Sequence, residues 1–117
     1  MIEIQVGKRT FPVRFDLGAW MEIDERFGGL EQMEADKTVK ARIACLAIFA
    51  RAGARYCGGE APTEEYLAKN LSPKALAQAN RQASRAFVAG MKREMAEDDD
   101  EDIDVVAEKL KKKEARA

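Results

Sequence analysis

The sequence contains no histidine and only two cysteines, Cys45 and Cys57, which lie twelve positions apart. Histidine is the most frequent general base, and zinc sites combine Cys and His ligands at short spacings. On one continuous helix twelve residues span about 18 Å, whereas a disulfide needs Cα atoms within about 7 Å. We therefore expect no metal site and no disulfide between the two cysteines, and we interpret Cys45 as a small core residue.

The glycines lack the spacing of a phosphate-binding loop. Gly28-Gly29 and Gly58-Gly59 belong to no Gly-x-Gly-x-x-Gly or Gly-Lys-Ser/Thr pattern, and we interpret both pairs as helix stops. A dense group of carboxylates lies in one run near the C-terminus, where no surrounding structure would tune it for acid–base chemistry. The sequence predicts no catalytic residues, no cofactor and no enzymatic activity.

Long apolar runs are also missing. No stretch approaches the roughly 20 residues that span a bilayer, and Met1-Ile2-Glu3-Ile4 lacks the basic region and apolar core of a signal peptide. A net charge of −1 gives no overall attraction to nucleic acid or to a membrane surface. We expect a cytoplasmic protein, and a length of 117 residues indicates one domain with a modest core.

The first fifteen residues alternate between apolar and polar side chains, as strands buried on one face do. The predicted inward-facing residues are Ile2, Ile4, Val6, Phe11, Val13 and Phe15. Gly7-Lys8 fits a tight hairpin turn, and Pro12, which has no N–H, predicts an edge strand. An isolated hairpin is marginal in water, so it must pack on the helices or pair with another chain, which leaves a homo-oligomer open.

Helical patterns fill the rest of the chain up to about residue 97. A first helix is predicted after Asp16, its N-cap, and ends before Gly28. Its stripe at helical spacing consists of Leu17, Trp20, Met21, Asp24 and Phe27. Further helices are predicted over 37–57, over 64–70 with Thr63 as cap, and over 73–97 with Ser72 as cap.

The second and the last of these helices carry apolar stripes rich in small residues, which we interpret as allowing close approach between helices. The stripe of the helix over 37–57 is Val39, Ile43, Leu46, Ala50, Gly53 and Cys57. The stripe of the helix over 73–97 is Leu76, Ala79, Ala83, Phe87, Gly90 and Met91. The predicted fold class is mainly α with a small N-terminal β-hairpin (α+β), in which the hairpin precedes a three- to four-helix bundle. The domain covers residues 1–96, and residues 97–117 form an acidic tail with a short helix after Asp104.

Charge is segregated along the chain. Between Lys37 and Arg93 there are eleven basic and three acidic residues, a net charge of +8, whereas Glu94–Glu108 has nine acids and no base. The basic residues align on two predicted helices, and the candidate partner-binding residues are Lys40, Arg51, Arg55, Lys74, Arg81, Arg85 and Lys92. The alternatives are a solvated face, a face covered by the acidic tail, an acidic protein partner and, least favoured, nucleic acid.

The segment around the first helix resembles a motif of the tail assembly chaperones of long-tailed bacteriophages and gene transfer agents. The matching residues are Phe15-Asp16-Leu17 at its start, Met21 to Glu25 in its middle and Phe27-Gly28 at its end. The close motif covers residues 15–34, and the order of elements covers about residues 1–95.

The resemblance implies binding without chemistry in the bacterial host cytoplasm. Such chaperones hold the long, helix-rich tape measure protein soluble and help recruit the tail tube protein, then leave before the tail is complete. One alternative is a small helical nucleic-acid-binding regulator that uses the basic stripe, and another is a structural virion subunit. Neither specific nucleic-acid binding nor membrane binding is expected from the first interpretation.

Overall fold

A β-hairpin followed by helices makes up the fold, which a computed structural model describes for residues 1–97. The antiparallel strands are β1 (Glu3–Val6) and β2 (Arg9–Pro12). The helices are α1 (Leu17–Phe27), α2 (Leu30–Ala35), α3 (Val39–Cys57), α4 (Glu64–Asn70) and α5 (Pro73–Glu97). The predicted fold class is thus confirmed. The predicted acidic run and the short helix after Asp104 lie outside the described residues.

The hairpin has the predicted turn at Gly7-Lys8, but its second strand ends at Pro12, before the predicted Val13 and Phe15. Gly7 opens the turn with a φ of 62°, a left-handed conformation that glycine adopts at little cost. Ile4 lies opposite Phe11, so both point to the same face of the two-stranded sheet. β1 packs against α5 and β2 against α3. This places the buried side of the hairpin on the two longest helices.

From the last residue of β2 the chain passes between α3 and α5, and we call residues 12–15 the crossing segment. The Arg14 N–H donates to the Phe49 carbonyl of α3 at 3.0 Å. The Arg93 guanidinium of α5 donates to the Phe15 carbonyl at 2.6 Å. The crossing segment is therefore bonded to both helices through its main chain.

Two glycines make room for this crossing. A Cβ on Gly53 of α3 would overlap the carbonyl oxygen of Pro12, and a Cβ on Gly90 of α5 would overlap that of Phe15. The sequence predicted that small residues at these positions would admit the neighbouring helix. The structure shows that these two glycines instead admit the backbone of the crossing segment.

Phe15 lies at the centre of the core and is completely buried. Its ring contacts Trp20 of α1, Phe49 of α3 and Phe87 of α5, with centroids 5.8, 5.7 and 4.7 Å away. Offset and tilted aromatic contacts at these distances are favourable beyond the area they bury. One side chain thus joins three helices.

The predicted inner stripe of α1 was wrong at two positions. Leu17 and Met21 are 59% and 65% exposed, whereas Ala19 and Ile23 are completely buried. The Asp16 carboxylate caps the helix by accepting the Ala19 N–H at 2.9 Å, as predicted. α1 packs on α3 through its small and β-branched residues, which turns the Leu17 side of the helix toward solvent.

The start of α3 was also predicted two residues too early. The Thr38 hydroxyl accepts the Ala41 N–H at 3.2 Å, so Thr38 is the N-cap and Val39 the first helical residue. Its predicted stripe is buried in the middle but exposed at both ends, at Val39 and Cys57. Helix α2, which precedes α3, was not predicted from the sequence, because it has only six residues and no side-chain cap.

The predicted boundaries and caps of α4 and α5 are confirmed. The Thr63 hydroxyl accepts the Tyr66 N–H at 3.0 Å, and the Ser72 hydroxyl accepts the Ala75 N–H at 3.1 Å. The inner stripe of α5 is buried or half-buried at all six predicted positions, Leu76, Ala79, Ala83, Phe87, Gly90 and Met91.

Candidate partner-binding groove and basic face

An open groove of about 610 Å³ lies between α2, α3 and α5. Its lining from α2 and α3 includes Met33, Ala41, Arg42, Cys45 and Phe49. Its lining from α5 includes Ala77, Asn80, Ala83, Ser84, Phe87 and Val88. The α3 residues Ala41, Cys45 and Phe49 are spaced four apart, so they form one continuous stripe along that wall.

The floor of the groove is apolar. Ala41, Phe49 and Ala83 are buried beneath it, and Phe87 and Met33 are half-buried. Val88 remains 51% exposed on the α5 wall. An elongated apolar surface between two helices is the geometry that receives the apolar face of an amphipathic helix.

Charged side chains form the rim, and they are unevenly distributed. Lys37 and Arg42 line the groove on the α3 side, whereas Glu34 and Asp36 line it at the α2 end. The hydroxyl and the N–H of Thr38 donate to Asp36, which lowers the pKa of that carboxyl from its usual value. Asp36 is consequently a fixed negative group at this end of the groove.

The charged residues of α5 up to Arg93 are all basic, and they lie outside the groove lining. From Pro73 to Arg93 the helix has five basic residues and no acidic one, and Lys74, Arg81, Arg85 and Lys92 are exposed. At about 100° per residue, Arg81 and Lys92 lie within about 40° of Val88 around the helix. The four exposed residues form what we call the basic face, which directly adjoins the groove.

Within residues 1–93, no carboxylate forms an ion pair with the basic face. Arg85 donates to the side chain of Gln82 at 3.2 Å, which is a neutral partner on the same helix. Like charges four residues apart repel, so the pair Arg81 and Arg85 costs a few tenths of a kcal/mol unless an acidic group compensates it. Residues 1–93 thus leave the charge of this face without a neutralising carboxylate.

The structure separates the other candidate residues from the basic face. Arg51 and Arg55 of α3 pair with Glu22 of α1, at 2.7 and 3.2 Å, and Arg55 also lies 3.8 Å from Asp16. Lys40 is exposed near the start of α3, beside a second cleft that Arg26 and Asp36 line. Lys74, Arg81, Arg85 and Lys92 share one face of α5, whereas Arg51 and Arg55 share Glu22, and partner binding by all seven stays a prediction.

Cys45, predicted as a core residue, is half-buried and borders the groove. Burial raises the pKa of its thiol to about 11, with a smaller contribution from the negative charge of Asp36. Such a thiol is almost entirely protonated at neutral pH and therefore a poor nucleophile. Within residues 1–93, no group of three or more His, Cys, Asp or Glu side chains could hold a metal ion.

The sequence identified the basic face but not the groove. Its lining combines residues about forty positions apart, and only the packing of α3 on α5 brings them together. One available signal was the row Ala41, Cys45 and Phe49, which lies beside the stripe that the sequence assigned to the core.

Comparison with protein-family models, with curated proteins and with solved structures finds no match. Among the helices of the described part of the chain, none is both long and apolar enough to cross a membrane.

Proposed function

We propose that this protein is a non-catalytic tail assembly chaperone of a bacteriophage or gene transfer agent. It binds the tape measure protein, keeps it soluble during assembly of the tail tube, and helps to recruit the tail tube protein. The motif at residues 15–34 and the order of a hairpin followed by helices support this proposal. The chaperone acts in the cytoplasm of the bacterial host.

The groove between α2, α3 and α5 carries the proposal. A tape measure protein exposes apolar stripes on its helices until the tube encloses it, and such surfaces aggregate. An amphipathic helix can place its apolar face on the floor over Phe87 and Ala83. Acidic residues along that helix would then meet the basic face. The fit thus requires an apolar stripe with acidic flanks.

The position of the gene gives a first test. We expect a tail tube gene upstream and a very long gene for a helical protein downstream. Co-expression of this chain with that long protein should move the latter from the insoluble to the soluble fraction. A long protein that stays equally insoluble with and without this chain would overturn the proposal.

A matched pair of substitutions tests the groove itself. Ala77 is exposed and lines the groove on α5, whereas Ala68 is exposed on α4 away from it. Ala77→Asp should weaken capture of the long protein by about tenfold or more, because its carboxylate places a charge under the partner's apolar stripe and, four residues before Arg81, neutralises part of the basic face. Ala68→Asp should leave capture unchanged. Equal binding by both variants would move the binding site away from the groove.

The basic face favours a second candidate, a small helical nucleic-acid-binding regulator. Its four exposed cations would contact phosphates, so DNA affinity would fall steeply as salt rises. A sequence-specific complex that survives about 200 mM salt would favour the regulator over the chaperone, because phosphate contacts alone are lost in that range.

A structural virion subunit is distinguished by the finished particle. The chaperone leaves before the tail is complete, so purified particles should lack this chain. Its presence at a fixed ratio to the tail tube protein in purified particles would favour the structural role.

A further inference from the structure

Helix α1 presents an exposed face that the proposed function does not use. Leu17 and Met21 are each more than half exposed, and Asp24 and Glu25 are exposed one turn further on. At about 100° per residue these four lie within about 100° around the helix, so they form one surface, which we call the α1 face. An apolar patch bordered by polar residues is typical of an interaction site, whereas single exposed apolar residues are not.

The charge of the α1 face is opposite to that of the basic face. Residues 22–36 include six acidic residues and one basic residue, a net charge of −5, whereas the segment from Lys37 to Arg93 has a net charge of +8. Within residues 1–93, no basic side chain forms an ion pair with Asp24 or Glu25. α1 and α5 both pack against α3. One chain thus presents an acidic and a basic helix face.

The order of side chains on α5 is the reverse of that on α1. Val88 is about half exposed and lies between Arg85 and Lys92 along the helix. On α1 the two apolar residues precede the two acidic ones, whereas on α5 Arg81 and Arg85 precede Val88. Apolar residues therefore meet apolar ones, and acidic residues meet basic ones, when the two helices are antiparallel.

A single antiparallel register aligns the two faces. The spacings of three and four residues are the same on both helices, so fixing one pair fixes the others. The facing pairs are Leu17 and Lys92, Met21 and Val88, and Asp24 and Arg85. The aliphatic part of a lysine side chain can cover an apolar neighbour while its ammonium group stays in water. The two faces are therefore complementary over about two helical turns.

We propose that the α1 face binds the basic face of a second copy of this chain. Met21 packs on Val88 of the second copy, and Asp24 pairs with its Arg85. The contact is heterologous, because it joins two different surfaces. Exposed ion pairs are individually weak and are screened by salt, so the association is weak and salt-sensitive. The inference does not depend on the proposed function, although a second copy on the basic face would compete with the acidic flanks of a bound helix.

Charge reversal on each face of the full chain tests the contact, with sedimentation of a concentration series at about 50 mM salt as the measurement. Asp24→Arg and Arg85→Glu should each lower the association constant by about tenfold or more, because each places like charges opposite one another. The controls Glu60→Arg and Lys8→Glu make the same changes in net charge at exposed positions outside both faces, and they should associate as the parent does. All four residues are exposed, and thermal melting checks that each variant is folded.

Restoring the charge pair distinguishes this contact from a general effect of charge. The double variant Asp24→Arg/Arg85→Glu should regain association to within about threefold of the parent, because its facing charges are again opposite. An equimolar mixture of the two single variants should also associate, since each supplies the face that the other lacks. A contact between two α1 faces or between two basic faces would not be restored in this way.

Three results would overturn the inference. The parent could remain a single chain up to about 1 mM, the concentration at which even a weak complex is half formed. The single variants could associate as the parent does, or the double variant could fail to recover. None of these measurements needs a tail protein, so failure of this contact and failure of the chaperone proposal are distinguishable.

Discussion

The cleft between α3 and α5 has one part that is filled and one that is open. In the filled part, the crossing segment lies against Gly53 and Gly90 and is bonded to both helices. In the open part, the groove over Ala83 and Phe87 has an apolar floor without a covering element among residues 1–97. In the filled part, the facing surfaces of α3 and α5 therefore pack against the crossing segment. In the open part, the same kind of surface faces outward.

The difference separates the residues that stabilise the fold from the residues to which we assign binding only as a proposal. The filled part depends on glycines, main-chain hydrogen bonds and the buried ring of Phe15. The open part has half-buried and exposed residues, with charges along its rim. Substitutions should consequently reduce stability in the filled part and affect partner binding in the open part.

The largest expected effect is that of Phe15→Ala. Removing a fully buried ring that contacts three other aromatic rings should lower the free energy of unfolding by about 3–5 kcal/mol. Denaturant unfolding measures the change, with Leu17→Ala as an exposed control that should alter it by less than about 0.5 kcal/mol. A loss below about 1 kcal/mol for Phe15→Ala would mean that the crossing segment contributes little to the core.

Gly90→Ala should have the next largest effect. The added methyl group overlaps the Phe15 carbonyl, and overpacking of this kind costs about 1–3 kcal/mol. Ala89→Gly, at the exposed neighbouring position, controls for helix propensity, which changes in the opposite direction. Equal stability of Gly90→Ala and the parent would show that the crossing segment can move away from α5 at little cost.

In the open part, a smaller effect should follow from titration of Cys45. Because its pKa rises to about 11 on folding, the folded state retains the proton more strongly than the unfolded state does. Its contribution to stability is therefore full below the unfolded pKa and is lost as the pH rises to about 11. The difference in unfolding free energy between the parent and Cys45→Ala should shrink over that range, and a constant difference would contradict the shift.

The smallest effect is expected from Ser84→Leu. Ser84 is exposed and lines the open groove, so a larger side chain meets no packed neighbour there. We expect a change in unfolding free energy within about 0.5 kcal/mol, as for most surface substitutions. A loss comparable to that of Gly90→Ala would mean that this part of the cleft is as closely packed as the crossing.

Local signals predicted most of the fold. Asp16, Thr63 and Ser72 are caps whose side chains bond to nearby N–H groups, so they can be recognised without tertiary information. α2 has no such cap and was missed. The exposure of Leu17 and Met21 depends on how α1 lies against α3, which the periodicity of α1 alone does not determine.

The candidate site was predicted only in part, for a related reason. The exposure of Arg81 and Arg85 follows from the pattern of one helix, and the sequence identified it. The pairing of Arg51 and Arg55 with Glu22 joins residues about thirty positions apart, so no local pattern indicates it. The groove depends in the same way on contacts between distant helices.

The hydrogen bond between Arg93 and the Phe15 carbonyl has a consequence for synthesis of the protein. The two residues are separated by 78 positions. The first strands therefore leave the ribosome long before α5, the last helix that packs against them, does. Until α5 has emerged, the apolar side of the hairpin has no helix to cover it from that direction. Contacts between distant residues delay folding and expose chains to aggregation. We therefore expect this protein to complete its fold only after most of its own chain has been translated.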